Sequence, residues 1–114
     1  MLFRSCPAGG ELSYLDDIAA EIERRVDPRL MPSDGGRELF RLYAVLALAK
    51  GPAVRVDDIH DAWVAWELGR DAGHRSIKPF DELDAETQAA DEPFARAVRE
   101  VAESIDGHGR WDRG

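Results

Sequence analysis

Histidine and carboxylate side chains lie close together between residues 57 and 61, and such groups could perform general acid–base chemistry. His60 could act as a base, with Asp57 or Asp61 as the acid that orients its ring. However, Asp57 is better explained as the N-cap of a helix, and Asp61 adjoins His60, so their side chains would point apart on a helix. No serine or cysteine stands in a recognisable nucleophile elbow. We therefore predict that His60 is a structural or surface residue and that the chain is not an enzyme.

A metal site would need three or four ligands at defined spacing. The candidate ligands are two histidines and three acids: His60, His74, Asp81, Glu82 and Asp84. They form no HxxxH or HExxH pattern, and the acidic run at 81–84 lacks the length and the central glycine of an EF-hand loop. We expect neither a bound metal nor another cofactor.

An aromatic and basic segment is the best candidate for a binding surface. Trp63 and Trp66 are three residues apart and share one face of a helix, where core packing is the simplest role for Trp63. Trp66 would be partly exposed beside a loop that Pro79 holds in a rigid shape. The predicted ligand- or partner-binding residues are Trp66, His74, Arg75, Lys78 and Phe80.

Two further patterns suggest charged ligands. Gly35 and Gly36, followed by Arg37 and Arg41, could present free N–H groups to an anion at a helix start, although such a glycine pair more often forms a plain loop. The helices on either side of a short turn at residues 51–56 could also imitate a helix-turn-helix. The second of them begins with several acids, which would face the phosphates of DNA, so a DNA-binding regulator is only our third choice.

The elements that must position these groups are helices. Ser13, with Asp16 three residues later, predicts the start of a first helix, and Pro28 stops it. A second helix is predicted from about residue 36 to residue 50, before Gly51 and Pro52. It is apolar almost all round, which is typical of a helix in the middle of a bundle.

The second half of the chain predicts two more helices. The third runs from about residue 58 to residue 70, and the last begins at Ala85, is interrupted near Pro93 and continues to about Ile105, with Asp91 as a second cap. No strand pattern or internal repeat is present. The sequence therefore predicts an all-α fold, a compact single-domain bundle of four main helices with the last one interrupted near Pro93. The predicted segments are a flexible lead at 1–12, a helical domain at 13–105 and a flexible tail at 106–114.

Composition limits the compartment and the partners. The chain has 114 residues, a formal net charge of −8 and a pI of about 4.8, so repulsion disfavours nucleic acid and anionic membrane. Cys6 is the only cysteine, as is typical of a reducing cytoplasm, and no apolar stretch approaches the ~20 residues of a membrane span. We predict a cytoplasmic protein, and the preference for arginine over lysine suggests a GC-rich genome such as that of an actinobacterium or its phage.

Two stretches of the chain resemble known families. The run HRSIKPFDELD at residues 74–84, followed by Asp91, resembles the RyR repeat, in which a tryptophan-bearing segment precedes a histidine, a proline–aromatic pair, an acid–leucine turn and a final helix. This resemblance covers about a third of the chain and implies a helical interaction or ligand-sensing module. Arg75 replaces the proline that is usual after the histidine.

A broader similarity spans residues 14–102. The segments FRLYAVLALAKG at 40–51, VDDIHDAW at 56–63 and PFDEL at 79–83 are similar to a family of small uncharacterised proteins, a domain of unknown function, from actinobacteria and their phages. This similarity implies no particular activity.

We carry two hypotheses of function from this sequence. The first is a non-enzymatic protein-interaction module with a protein partner, encoded by a bacterium or a phage. The alternative is an RyR-like sensor of a small anion or nucleotide near His74, Arg75 and Lys78, whose positive charges stand out on an acidic chain. Because the second helix is so apolar, we also favour a homodimer over a monomer.

Overall fold

A computed structural model describes residues 13–32 and 34–107, and it contains only helices and loops there. The predicted lead at 1–12 and the tail from residue 108 lie outside the described residues. The α-helices are α1 (Tyr14–Arg24), α2 (Gly36–Lys50), α3 (Val56–Leu68), α4 (Ala85–Ala89) and α5 (Glu92–Gly107). Single 3₁₀ turns lie at Pro28–Leu30, Gly51–Ala53 and Phe80–Glu82.

These bounds confirm the predicted all-α bundle of four main helices. The segments α4 and α5 are the two parts of the predicted last helix, which bends next to Pro93. Pro93 lies in the first turn of α5, where its missing N–H removes no helical hydrogen bond. The helix extends to Gly107, two residues beyond the predicted end at Ile105.

The start of α1 is fixed by a complete capping box. The Asp16 N–H donates to the Ser13 hydroxyl at 3.1 Å, and the Ser13 N–H donates to the Asp16 carboxylate at 3.2 Å. The Asp16 side chain is only 7 % exposed, and Arg41 of α2 donates to it at 2.8 Å. Asp16 therefore both caps α1 and makes a tertiary contact that joins α1 to α2.

The predicted N-cap of α3 is wrong. The helix begins at Val56, so Arg55 is the N-cap residue and Asp57 already lies in the first turn. The carboxylate that satisfies the helix start belongs to Asp58, which accepts the Arg55 N–H at 2.8 Å. An acid three residues after the cap can accept the N–H of the cap residue. Because Asp57 and Asp58 are adjacent, the sequence alone did not show whether Asp57 is the cap or Asp58 lies three residues after the cap.

Helix α2 is the central helix, but it is not buried all round as its composition predicts. It contacts α1, α3 and α5 through a buried face that consists of Leu39, Phe40, Tyr43, Ala44 and Ala47. Val45 and Leu48 on the opposite face are exposed. The rings of Phe40, Tyr43 and Phe94 meet in the core, with centroids 5.0 to 6.1 Å apart.

The loop between α3 and α4 folds back over α3. The backbone carbonyl of Lys78 accepts a hydrogen bond from His60, and the Phe80 ring lies 6.1 Å from the His60 ring. Gln88 of α4 holds the end of this loop, because its side-chain amide donates to the carbonyls of Phe80 and Leu83. Among the described residues, no helix has the length and apolarity required to cross a bilayer.

Candidate functional site

A pocket of about 260 Å³ opens between α2, α3, the α4–α5 junction and the loop that precedes α4. Aromatic rings and three titratable groups define it: Tyr43, His60, Trp63, Trp66, Asp91 and Phe94. We call it the aromatic pocket. Its volume exceeds the ~30 Å³ share of a single water molecule several-fold, so it has room for a small ligand or a side chain.

His60 is buried, with 3 % of its surface exposed, and both of its ring nitrogens face polar groups. Nε2 donates to the Lys78 carbonyl at 2.6 Å, because a carbonyl oxygen only accepts. Nδ1 lies 3.9 Å from Oδ2 of Asp91, which is too long for a direct hydrogen bond. In the neutral ring, Nδ1 is therefore an acceptor without a donor. His60 is thus not on the surface, and the acid beside it is neither Asp57 nor Asp61.

Asp91 is the acid that faces His60. Its side chain is 18 % exposed, and within residues 13–32 and 34–107 no group donates a hydrogen bond to its carboxylate. Burial raises the pKa of Asp91 to about 6, and the nearby His60 opposes this effect only in part. Asp91 stands directly before α5, at the predicted cap position, and its backbone carbonyl accepts the Ala95 N–H at 3.0 Å. Its side chain makes no capping hydrogen bond to the described residues.

Tyr43 adds a third polar group to the aromatic pocket. The residue is 2 % exposed, and its hydroxyl has no hydrogen-bond partner in the described part of the chain. Burial raises the pKa of this hydroxyl strongly, and the negative charge of Asp91 raises it further. Buried polar groups in folded proteins are almost always paired, so an unpaired hydroxyl, carboxylate and imidazole nitrogen at one pocket require an explanation.

Three of the five predicted binding residues lie around this pocket. Trp66 lines it and donates its indole N–H to the Gly35 carbonyl at 3.0 Å. The His74 ring meets the edge of Trp63 with a centroid distance of 5.0 Å, and Phe80 contacts His60. His74 and Phe80 therefore support the wall of the pocket from outside, rather than lining it.

The other two predicted residues, Arg75 and Lys78, do not reach the aromatic pocket. Both are exposed at an adjoining depression of about 280 Å³, which also contains Asp84 and shares Ser76 and Thr87 with the aromatic pocket. Asp84 caps α4 by accepting the Thr87 N–H at 2.8 Å, and this bond lowers its pKa, as do, more weakly, the charges of Arg75 and Lys78. Their positive charges are thus partly compensated by an acid, which weakens the predicted anion site.

The glycine pair before α2 has a structural role as well. Gly35 has a φ of 77°, and an added Cβ would lie 2.7 Å from Nη1 of Arg70, so both its conformation and its space favour glycine. Arg37 and Arg41 point to Asp16, at 3.9 and 2.8 Å. The cations that would complete an anion site at this helix start are already paired.

The described residues also contain no cluster of three groups that could hold a metal ion.

The sequence alone did not predict that Tyr43, His60 and Asp91 lie close together. They come from α2, α3 and the α4–α5 junction, and the sequence interpretation treated them as a core aromatic, an isolated histidine and a helix cap. One local signal was available. Asp91 stands in a helix interruption directly before an apolar stripe that begins at Phe94, where a carboxylate can turn towards the core.

The fold and the site define a small all-helical domain with one aromatic, partly charged pocket at its centre. The chain belongs to the family described as Domain of unknown function (DUF7701), whose model matches residues 13–103. No match was found among curated proteins or among solved structures. The family description agrees with the predicted domain of unknown function, while the RyR-repeat resemblance and the actinobacterial or phage origin stay predictions.

Proposed function

We propose that this chain is a non-enzymatic binding module and that its ligand, or a side chain of its protein partner, occupies the aromatic pocket. One observation carries the proposal: the Tyr43 hydroxyl, Nδ1 of His60 and the Asp91 carboxylate meet at one aromatic cavity, and none has a hydrogen-bond partner among the described residues. A bound molecule with complementary polar groups would satisfy all three.

Two features favour binding over catalysis. The aliphatic hydroxyl residues that line the pocket are Ser76 and Thr87, and within the described segments neither side chain bonds to His60 or Asp91. A nucleophile would need such a bond to be activated. In addition, Nε2 of His60 is committed to a backbone carbonyl, which favours a fixed positioning role for the ring.

The other hypotheses receive less support. An anion sensor at Arg75 and Lys78 is disfavoured because the Asp84 carboxylate at the same depression partly compensates their charges. A DNA-binding role is disfavoured by the net charge of −8 and by the acids in the first turn of α3. Exposed Val45 and Leu48 on α2 keep the homodimer as a prediction, which sedimentation velocity at micromolar concentration tests. A cytoplasmic location also stays a prediction.

The experiment compares the wild type with a variant whose pocket mouth is filled. Ala90 is exposed and lines the pocket, whereas its neighbour Ala89 is exposed and does not, so Ala90→Phe and Ala89→Phe form a matched pair. The probes are n-pentylammonium, 1-pentanol, pentanoate, AMP and inorganic phosphate, each at millimolar concentration, because ligands of this size bind weakly. Binding is followed by ¹H–¹⁵N correlation spectra of the uniformly labelled protein.

We expect at least one probe to shift the indole signals of Trp63 and Trp66 in a saturable manner. Ala90→Phe should abolish this shift, and Ala89→Phe should leave it unchanged. If no probe saturates, or if both variants bind as the wild type does, the proposed pocket is not the binding site and the proposal is wrong.

A further inference from the structure

The polar groups of the aromatic pocket specify the hydrogen bonds that a ligand must supply. A neutral His60 has its Nε2 proton on the Lys78 carbonyl, so Nδ1 can only accept. An ionised Asp91 also only accepts, and the Tyr43 hydroxyl can accept as well as donate. Three acceptors that converge from α2, α3 and the α4–α5 junction match a ligand head with several N–H donors.

The charge of the pocket also favours a ligand head with N–H donors, and a positively charged one. Asp91 is the acid that lines it, and its nearest basic group is His60, with 3.9 Å between Nδ1 and Oδ2. A largely buried carboxylate without a close hydrogen-bonded cation is costly, and an incoming cation would remove part of that cost. The net charge of −8 on the whole chain also attracts cations towards the surface.

The walls suit an alkyl chain that ends in a positive charge. The rings of Tyr43, Trp63, Trp66 and Phe94 line the pocket, and ring faces attract cations while they pack against methylene groups. The chain already contains one such contact, since the Arg70 guanidinium lies 4.4 Å from the centre of the Trp66 ring. Lysine-like molecules combine the same two features.

We propose that the aromatic pocket binds an alkyl ammonium group, which donates hydrogen bonds to Asp91, His60 and Tyr43 while its methylene groups lie against the tryptophans. This inference rests on the proposed binding function and adds the chemical class of the ligand. The ammonium group can belong to a free amine or to a lysine side chain of a partner protein, and the two sources share the same recognition chemistry.

The test compares three probes of similar length on the wild type, namely n-pentylammonium, 1-pentanol and pentanoate. We expect n-pentylammonium to bind at least tenfold more tightly than 1-pentanol and pentanoate not to saturate. Asp91→Asn should weaken n-pentylammonium at least tenfold and leave 1-pentanol within twofold. Glu103→Gln on the exposed side of α5 removes the same charge away from the pocket and should change neither affinity.

A second arm distinguishes the two sources of the ammonium group. Nα-acetyl-lysine methylamide carries the peptide backbone of a partner, and its norleucine analogue lacks only the charged group. If the lysine derivative binds more tightly than n-pentylammonium while the norleucine derivative does not bind, the ligand is a partner's lysine. If n-pentylammonium binds more tightly, the ligand is a free amine.

Other results would overturn the inference in separable ways. If 1-pentanol, pentanoate, AMP or phosphate binds at least as tightly as n-pentylammonium and Ala90→Phe abolishes that binding, the pocket is a binding site but not for cations. Equal weakening by Asp91→Asn and Glu103→Gln would show a general charge effect and would also exclude the specific contact. The absence of binding by every probe would overturn both proposals.

Discussion

The carboxylates of Asp16 and Asp91 are both withdrawn from solvent, and their surroundings are opposite. Asp16 accepts hydrogen bonds from Ser13 and Arg41, and Arg41 holds its pKa at about 2 despite burial. The Asp91 carboxylate accepts no hydrogen bond from the described residues, and burial raises its pKa to about 6. The described residues therefore supply donors to the carboxylate of Asp16 and none to that of Asp91.

The difference separates a structural acid from a candidate functional one. At Asp16 the desolvation cost is offset by charge-assisted bonds that join α1 to α2, so the contact serves the fold. At Asp91 the cost is not offset by any comparable contact, so the carboxylate does not contribute to stability in its ionised form. Groups with perturbed pKa values in a pocket are often those that serve function.

The largest expected effect is the contrast between the two asparagine variants. Asp16→Asn should lower the free energy of unfolding by about 2 kcal/mol, because the charge-assisted bond from the half-exposed Arg41 is lost and the capping box is weakened. Asp91→Asn should leave stability unchanged or raise it. Urea denaturation at pH 7 measures both variants. Equal destabilisation by the two would mean that Asp91 is also a structural residue.

The pH dependence of stability should differ in sign at the two sites. The folded pKa of Asp91, about 6, exceeds the ordinary value of 3.8, so its contribution to stability is complete below 3.8 and is lost as the pH rises through 6. From pH 4 to pH 7 the wild type should therefore lose about 2 kcal/mol relative to Asp91→Asn. His60 and Tyr43 face this carboxylate, so the comparison is made against the variant at each pH.

Asp16 should act in the opposite direction and at lower pH. Its folded pKa of about 2 lies below 3.8, so its stabilisation is present above 3.8 and is lost as the pH falls through 2. For Asp91, the assignment would be contradicted if the free energy of unfolding changed by the same amount in the wild type and in Asp91→Asn between pH 4 and pH 7.

A smaller effect is expected from the Tyr43 hydroxyl. Tyr43→Phe should keep the free energy of unfolding within about 0.5 kcal/mol or raise it by up to about 1 kcal/mol, because the buried hydroxyl has no partner within the described residues to lose. Urea denaturation at pH 7 measures the effect. A loss above 1 kcal/mol would show that the protein itself already satisfies this hydroxyl.

The smallest effect should come from the basic residues that the sequence singled out. The double variant Arg75→Ala, Lys78→Ala should change the free energy of unfolding by less than about 0.5 kcal/mol, since both side chains are exposed. It should also leave the affinity for n-pentylammonium within twofold. A tenfold change measured in the same titration would mean that this depression belongs to the ligand site.

The helices were predictable from sequence because their signals are local. Ser13 and Asp16 mark one start, Gly51 and Pro52 mark one end, and Pro93 marks the bend, each within a few residues of the feature. The N-cap of α3 was predicted at Asp57 and lies at Arg55, because either of two adjacent acids could satisfy the helix start. Such errors arise where two neighbouring residues could make the same hydrogen bond.

The pocket was not predictable in the same way. His60 and Asp91 are distant in the sequence, and their proximity depends on how α3 packs against the α4–α5 junction. Each residue also had a sufficient local explanation, Asp91 as a cap and Tyr43 as a core aromatic. Only the packed structure reveals that the Asp91 carboxylate turns inward and that the Tyr43 hydroxyl has no hydrogen-bond partner between residues 13 and 107, residue 33 aside.

The imidazole of His60 is bonded on one edge to the backbone of the loop before α4, at the Lys78 carbonyl, and its other edge faces the cavity. A donor that engages Nδ1 withdraws electron density from the ring and makes the Nε2 proton more acidic, which strengthens the bond to that carbonyl. The carbonyl ¹³C resonance of Lys78 therefore becomes a spectroscopic reporter of occupancy, because the peptide that follows Lys78 leads to Pro79 and has no N–H. It carries the state of the aromatic pocket to the loop before α4.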